Sequence, residues 1–175
     1  VFENSFLIIL AYLLGSISSA VIVCKAFKLP DPRTTGSKNP GTTNVMRIGG
    51  KLPAIITLVG DALKGVIPTL IATLLDKSPP FVATVLLIAF LGHLYPIFYR
   101  FKGGKGIATT IGGLMILSWT SCLLFLLTWG AVFAIFRISS LSALTATLLT
   151  PVFIYLFEDF VTFVPVTVMC IFIFV

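Results

Sequence analysis

Six stretches of this sequence, residues 6–27, 52–75, 81–98, 107–136, 140–157 and 161–175, are almost free of charge and rich in Leu, Ile, Val and Phe. A helix crossing about 30 Å of hydrocarbon needs about 20 apolar residues, and stretches of this length read as membrane spans. Overall composition agrees. The chain is 58% hydrophobic and 10% charged, against about 45–50% and about 25% in a soluble domain. A single water-soluble core is therefore excluded as the expectation.

Residues 107–136 are too many for one ordinary span. They carry Gly112, Gly113, Ser118 and Gly130, so a short helix followed by a full one is expected there. That makes about seven transmembrane helices in an all-α, polytopic bundle, with residues 1–175 as one transmembrane domain. The first stretch lacks the basic start of a signal peptide and runs into a polar loop with further spans beyond, so it is expected to be retained. The chain opens on Val1 and stops at Val175 within an apolar run, and it is expected to be a fragment at both ends. No internal repeat is evident, which weakens a transporter built from two related halves.

The charges that remain are concentrated. Residues 25–51 hold Lys25, Lys28, Arg33, Lys38, Arg47 and Lys51, and further cations stand at Arg100, Lys102, Lys105 and Arg137. Lys and Arg accumulate in cytoplasmic loops. Seven spans place all of these on one side and Glu3, Asp76, Lys77, Glu158 and Asp159 on the other. The amino terminus is then expected outside. Cys24, Cys122 and Cys170 stand alone in apolar surroundings, so neither a disulfide framework nor a metal site is expected. No nucleic-acid partner is expected either.

Two loops carry the chemistry. From Thr35 to Arg47 the first holds Ser37, Lys38, Asn39, Gly41, Thr42, Thr43 and Asn44 without one acidic residue. Such a loop offers donors and not metal ligands. Glycines let backbone N–H groups turn toward one anion, and Arg47 can grip a phosphate with two parallel bonds. A plain polar turn between spans is the competing reading. The second loop, Lys102-Gly103-Gly104-Lys105-Gly106, opens a helix, whose free N–H groups and positive dipole end favour an anion. It lacks the G-x-x-x-x-G-K-S/T spacing of a nucleotide-binding loop. Cations snorkelling at a helix end would explain its lysines but not its three glycines.

Asp61 and Lys64 lie one helical turn apart inside the second span, where isolated charges are costly, and they are expected to form an ion pair. The pair suits a structural clamp and a functional site equally, and Lys64 is also within possible reach of the anion. His93, the only histidine, stands near the end of the third span. A general base, a hydrogen-bond donor to a ligand oxygen, and a buried ring satisfied by a carbonyl are all open to it. The small residues Gly15, Ser16, Ser18 and Ser19 are expected to serve close helix packing. Ser139, Ser140 and Ser142 follow Arg137 where a helix begins, able to cap it or touch a phosphate.

The strings Gly36-Ser37-x-Asn39-x-Gly41-x-Thr43-Asn44-x-x-Arg47, Asp61-x-x-Lys64-Gly65, and Gly92-His93-x-x-Pro96-x-Phe98-x-x-Phe101-Lys102-Gly103-Gly104-Lys105-Gly106-x-Ala108-Thr109 resemble the PlsY family. That family comprises bacterial inner-membrane acyltransferases. The resemblance implies transfer of a fatty acyl group from acyl phosphate to the 1-hydroxyl of glycerol 3-phosphate, giving lysophosphatidic acid and phosphate as phospholipid synthesis begins. It implies a cytoplasm-facing site, no metal or nucleotide cofactor, membrane lipid around the chain, and the acyl-phosphate-forming enzyme as a possible partner. Ser37, Asn39, Thr43, Asn44 and Arg47 would hold one substrate phosphate, and Lys102, Gly103, Gly104 and Lys105 would close on the other. Ser140 resembles a family serine in the same pocket. His93 is the first candidate to orient the attacking hydroxyl, unless the leaving phosphate itself takes the proton, and Ser37 is grouped with it as catalytic.

Family members also end in a basic cytoplasmic segment of the type His-Arg-x-Asn-Ile, which lies beyond Val175. These 175 residues are therefore expected to fold without carrying the complete site. Phe98 stands where the HxxxxD signature of other acyltransferases has its Asp. A transporter or channel for a small anion is the alternative, but the outer halves of the spans are almost wholly apolar, which favours a one-sided site.

Overall fold

A computed structural model of the chain describes residues 2–174, so Val175, the expected end of the last span, lies outside the described residues. Within them the chain forms α1 (Phe2–Gly15), α2 (Ser19–Ala26), α3 (Thr42–Gly49), α4 (Lys51–Leu74), α5 (Pro79–Leu94), a 3-10 turn (Ile97–Tyr99), α6 (Ile107–Leu117), α7 (Trp119–Phe136), α8 (Ser139–Phe157) and α9 (Phe160–Phe174). No strand occurs among the described residues. By length and composition α4, α5 with the turn after it, α7 and α8 can each cross a membrane, and α1 with α2 adds a fifth span. The helices α6 and α9 are apolar but shorter.

One expected span is not continuous. Residues 6–27 break at Ser16–Ser18, where α1 and α2 meet at a 41° bend. The Ser16 N–H still donates to Tyr12 O at 2.9 Å, but Ser18 is extended (φ −81°, ψ 98°). Glycine and serine are weak helix formers, serine because its hydroxyl competes for backbone groups, and helices kink at such pairs. The break within residues 107–136 is the one the length of that run demanded. It falls at Ser118, extended at φ −153° and ψ 90°, whose hydroxyl donates to Ser121 Oγ at 2.9 Å.

Two further departures shape the region around His93. The third span reaches Phe98 as expected when the turn after it is counted, but its α-helix, α5, stops at Leu94. Pro96 disfavours helical geometry in Tyr95 before it. The chain then makes its 3-10 turn and passes through Arg100 and Phe101, both left-handed at φ 56° and 58°. Also, the polar stretch between the first two spans is not all loop, because Thr42–Gly49 coils into α3, stopped by Gly50 at φ 82°.

Close packing joins α4 to α6. A Cβ on Gly65 would strike the carbonyl oxygen of Thr109, and one on Gly112 would strike that of Ala62. At the same crossing Thr109 Oγ1 donates to the backbone oxygen of Asp61 at 2.9 Å. Leu86 and Phe90 of α5, Leu114 of α6, Ile154 of α8 and Met169 of α9 form one fully buried cluster. Large apolar side chains such as Leu52, Ile55, Leu127, Leu148 and Ile171 face outward instead.

Candidate active site

The first anion loop is organised from within by Asn44. This residue of α3 is 1% exposed. Its Nδ2 donates to the carbonyls of Pro32 and Thr35, both at 2.9 Å, and its Oδ1 accepts the Ser37 N–H at 2.9 Å. The amide is thus engaged by the loop backbone. Ser37, Lys38, Thr43 and Arg47 are exposed around it, and Asn39 is half-buried. Upstream, Asp31 and Arg33 form a clasp with Arg33 Nη2 at 2.6 Å from Asp31 Oδ2, and the guanidinium carbon stands 5.6 Å from the centre of the Tyr99 ring. The clasp ties this loop to the turn after α5. Hydrogen bonds from the Arg33 side chain hold the Asp31 carboxyl below its ordinary value of 3.8.

The second loop folds back on the end of α5. Gly103 N–H donates to Leu94 O at 3.1 Å and Gly104 N–H to His93 O at 3.2 Å, satisfying carbonyls that a helix end leaves open. These two amide hydrogens are therefore engaged, while the Lys102 and Lys105 side chains remain exposed. A Cβ on Gly104 would strike His93 Nε2 and lie 3.0 Å from Pro40 O. Both loops thus meet over one edge of the imidazole.

Beneath that edge lies a buried chain of three ionisable side chains. Asp61 is 3% exposed, and Lys64 and His93 are 6% exposed. Lys64 Nζ stands 2.7 Å from Asp61 Oδ1 and 3.1 Å from His93 Nδ1. The expected ion pair is present. Its extension to His93 is not legible in the sequence, because the partner sits on another helix and no spacing encodes that crossing. Thr109, which fixes the Asp61 carbonyl, likewise carries no signal in the sequence beyond its place in the Lys102–Thr109 string. Ser140 lies exposed in the first turn of α8, and no hydrogen bond among the described residues links it to either loop. Nor do the described residues contain a group of three His, Cys, Asp or Glu side chains able to hold a metal ion.

Two clefts border these loops. One of about 510 Å³ is lined by Arg33, Arg100 and Lys102 beside Phe98 and Tyr99. The other, about 400 Å³, starts at Gly104 and Lys105 and continues over Leu94, Leu144, Phe172 and Phe174. Cationic loop and apolar groove are thus contiguous.

The sequence profile of the family described as Glycerol-3-phosphate acyltransferase matches residues 5–175. The chain belongs to the glycerol-3-phosphate acyltransferase family. A Glycerol-3-phosphate acyltransferase of Ruthia magnifica subsp. Calyptogena magnifica is 58% identical over 153 residues, which are 87% of this chain and 78% of that protein. One from Methylococcus capsulatus is 59% identical over 150 residues, 86% and 76% of the respective lengths. Among solved structures the chain is similar to PlsY, an integral membrane glycerol 3-phosphate acyltransferase, in its glycerol 3-phosphate form. The TM-score is 0.92 and the identity 36%, covering 98% of this chain and 86% of that one. The lysophosphatidic acid form gives 0.89 and 35% over the same shares. This member of the acyltransferase family is accordingly an all-helical, multi-pass membrane protein.

Proposed function

We propose that the chain transfers a fatty acyl group from acyl phosphate to the 1-hydroxyl of glycerol 3-phosphate, releasing lysophosphatidic acid and inorganic phosphate. The observation that carries this reading is the meeting of two cationic loops over His93, in a fold so similar to a glycerol 3-phosphate form of PlsY. In the reaction the hydroxyl oxygen attacks the acyl carbonyl and a new ester C–O bond forms. The bond from the carbonyl carbon to the phosphate oxygen breaks, and phosphate leaves with the electron pair. The hydroxyl proton passes to a phosphate oxygen or to a protein base.

Arg47, Thr43, Ser37 and Asn39 hold one phosphate in this reading, and Asn44 holds the loop that presents them. Lys102 and Lys105 face the other phosphate, with Gly103 and Gly104 shaping their approach. Fixed donors stabilise the tetrahedral oxyanion in a site shielded from water. The groove beside Lys105 suits the acyl chain. Seven spans with the amino terminus outside put the site on the cytoplasmic face of a bacterial inner membrane, where an acyl-phosphate-forming enzyme supplies the donor. No metal or nucleotide enters this reading. Family membership favours turnover over passage of an anion.

The test is phosphate release from acyl phosphate by the full-length protein in lipid, with and without glycerol 3-phosphate. Release that depends on the acceptor and falls at least about 100-fold in Arg47→Ala supports the assignment. Absence of acceptor-dependent release from folded protein overturns it, and anion flux in liposomes becomes the next measurement.

A further inference from the structure

We infer that Lys64 is a positioning residue: anchored on Asp61, its ammonium holds His93 in the tautomer with the proton on Nε2. His93 then meets the site as a hydrogen-bond donor and not as a proton acceptor. The inference deepens the acyltransferase reading and rests on it only for the identity of the oxygen that receives the bond, an anionic phosphate oxygen or the developing oxyanion.

The geometry leaves the ring little choice. A protonated lysine has three donors and no acceptor. Lys64 Nζ, 2.7 Å from the Asp61 carboxylate, also stands 3.1 Å from His93 Nδ1. A ring nitrogen that close to an ammonium must present its lone pair, and a neutral imidazole then carries its hydrogen on Nε2. Asp61 Oδ1 lies 3.8 Å from the same Nδ1, too far for a hydrogen bond. The arrangement is the reverse of a Ser-His-Asp triad, where a carboxylate accepts Nδ1–H and leaves Nε2 free to take a proton. Here a cation occupies the carboxylate's place.

The other edge of the ring completes the argument. Nε2 faces Gly104 beside the Pro40 carbonyl, at the seam of the two loops. Among the described residues it has no hydrogen-bond partner, so its N–H is available to a ligand. For His93 to accept a proton from substrate, Nδ1 would have to expel Lys64, or Nε2 would first have to lose its own hydrogen. The first breaks the contact that orients the ring, and so does the second if the hydrogen moves to Nδ1; the remaining course leaves an imidazolate, which does not form near neutral pH.

His93 is the only histidine among these 175 residues, so in the ¹⁵N-histidine spectrum of the full-length protein its ring is the pair of resonances that His93→Gln removes. The expected spectrum at neutral pH has Nδ1 unprotonated and Nε2 bearing hydrogen. A hydrogen on Nδ1, or a doubly protonated ring, overturns the inference whatever the activity. The neutral double variant Asp61→Asn/Lys64→Met removes the donor without orphaning a charge. It is expected to mix the two tautomers and lower kcat on the order of 10- to 100-fold, with KM for glycerol 3-phosphate little changed. Lys64→Arg, also donor-only, should keep the Nε2–H signature and recover most of kcat. If the double variant melts cooperatively and retains both the wild-type spectrum and the wild-type kcat, Lys64 does not position His93. If the spectrum is as expected but acceptor-dependent phosphate release is absent, the tautomer assignment stands and the acyltransferase reading falls.

Discussion

Glycine at position 104 is defined by its neighbour. A methyl group there would occupy the space of His93 Nε2 and press on the Pro40 carbonyl. Gly104→Ala is therefore expected to turn the imidazole away and cut acyl transfer by about 10- to 100-fold, since small misplacements in a site cost that much. The melting temperature should move little, because the loop lies outside the buried core, so kinetics and thermal melting together check the prediction. Both residues were legible in the sequence as site candidates. Their contact was not, because it depends on the angle at which the chain returns after Pro96. Asn44 teaches a related lesson. An amide in a donor-rich loop reads as a phosphate ligand, and only the fold reveals that its hydrogen bonds go to Pro32, Thr35 and Ser37.

Elements are held to one another by two different devices. The Asp31–Arg33 clasp fastens the first loop beside Tyr99. A carboxyl whose value is depressed on folding contributes stability above its unfolded value and loses it as pH falls through the folded one. Asp31 is lowered chiefly by the Arg33 hydrogen bonds, so the loop should stay closed above the ordinary 3.8 and loosen in acid below it. Amide exchange across residues 31–44 measures this, and Arg33→Ala should abolish the acid-dependent step. Between α4 and α6 the device is close backbone approach at Gly65 and Gly112 beside the Thr109–Asp61 hydrogen bond. Gly65→Val forces a branched side chain against Thr109 O and is expected to cost about 1–3 kcal/mol or more, read as a lowered melting temperature in detergent. The sequence revealed one helix break and hid the other. Residues 107–136 exceed any single span, so length alone required an interruption. Residues 6–27 have an ordinary length, and their Gly-Ser run fits close packing as well as a bend.

At the scale of the molecule, the outward side chains of α4, α7, α8 and α9 are large and apolar, with no aqueous partner to offset their exposure. The protein should remain in the membrane pellet through an alkaline carbonate wash and need detergent for release, as a fractionation experiment with immunodetection will show. This much was plain from apolar run lengths, because hydrocarbon thickness dictates them. The convergence of α4, α5 and the two loops was not plain, since it depends on helix crossings that leave no periodic trace. That convergence also has a history in time. The ribosome completes α4 before α5 and α6 exist. Each unpaired charge at its middle would add about 2.5–3.5 kcal/mol to entering the bilayer. Joined one turn apart on the same helix, Asp61 and Lys64 make that passage as a neutral couple, so α4 can settle in lipid before the histidine it will hold has been translated.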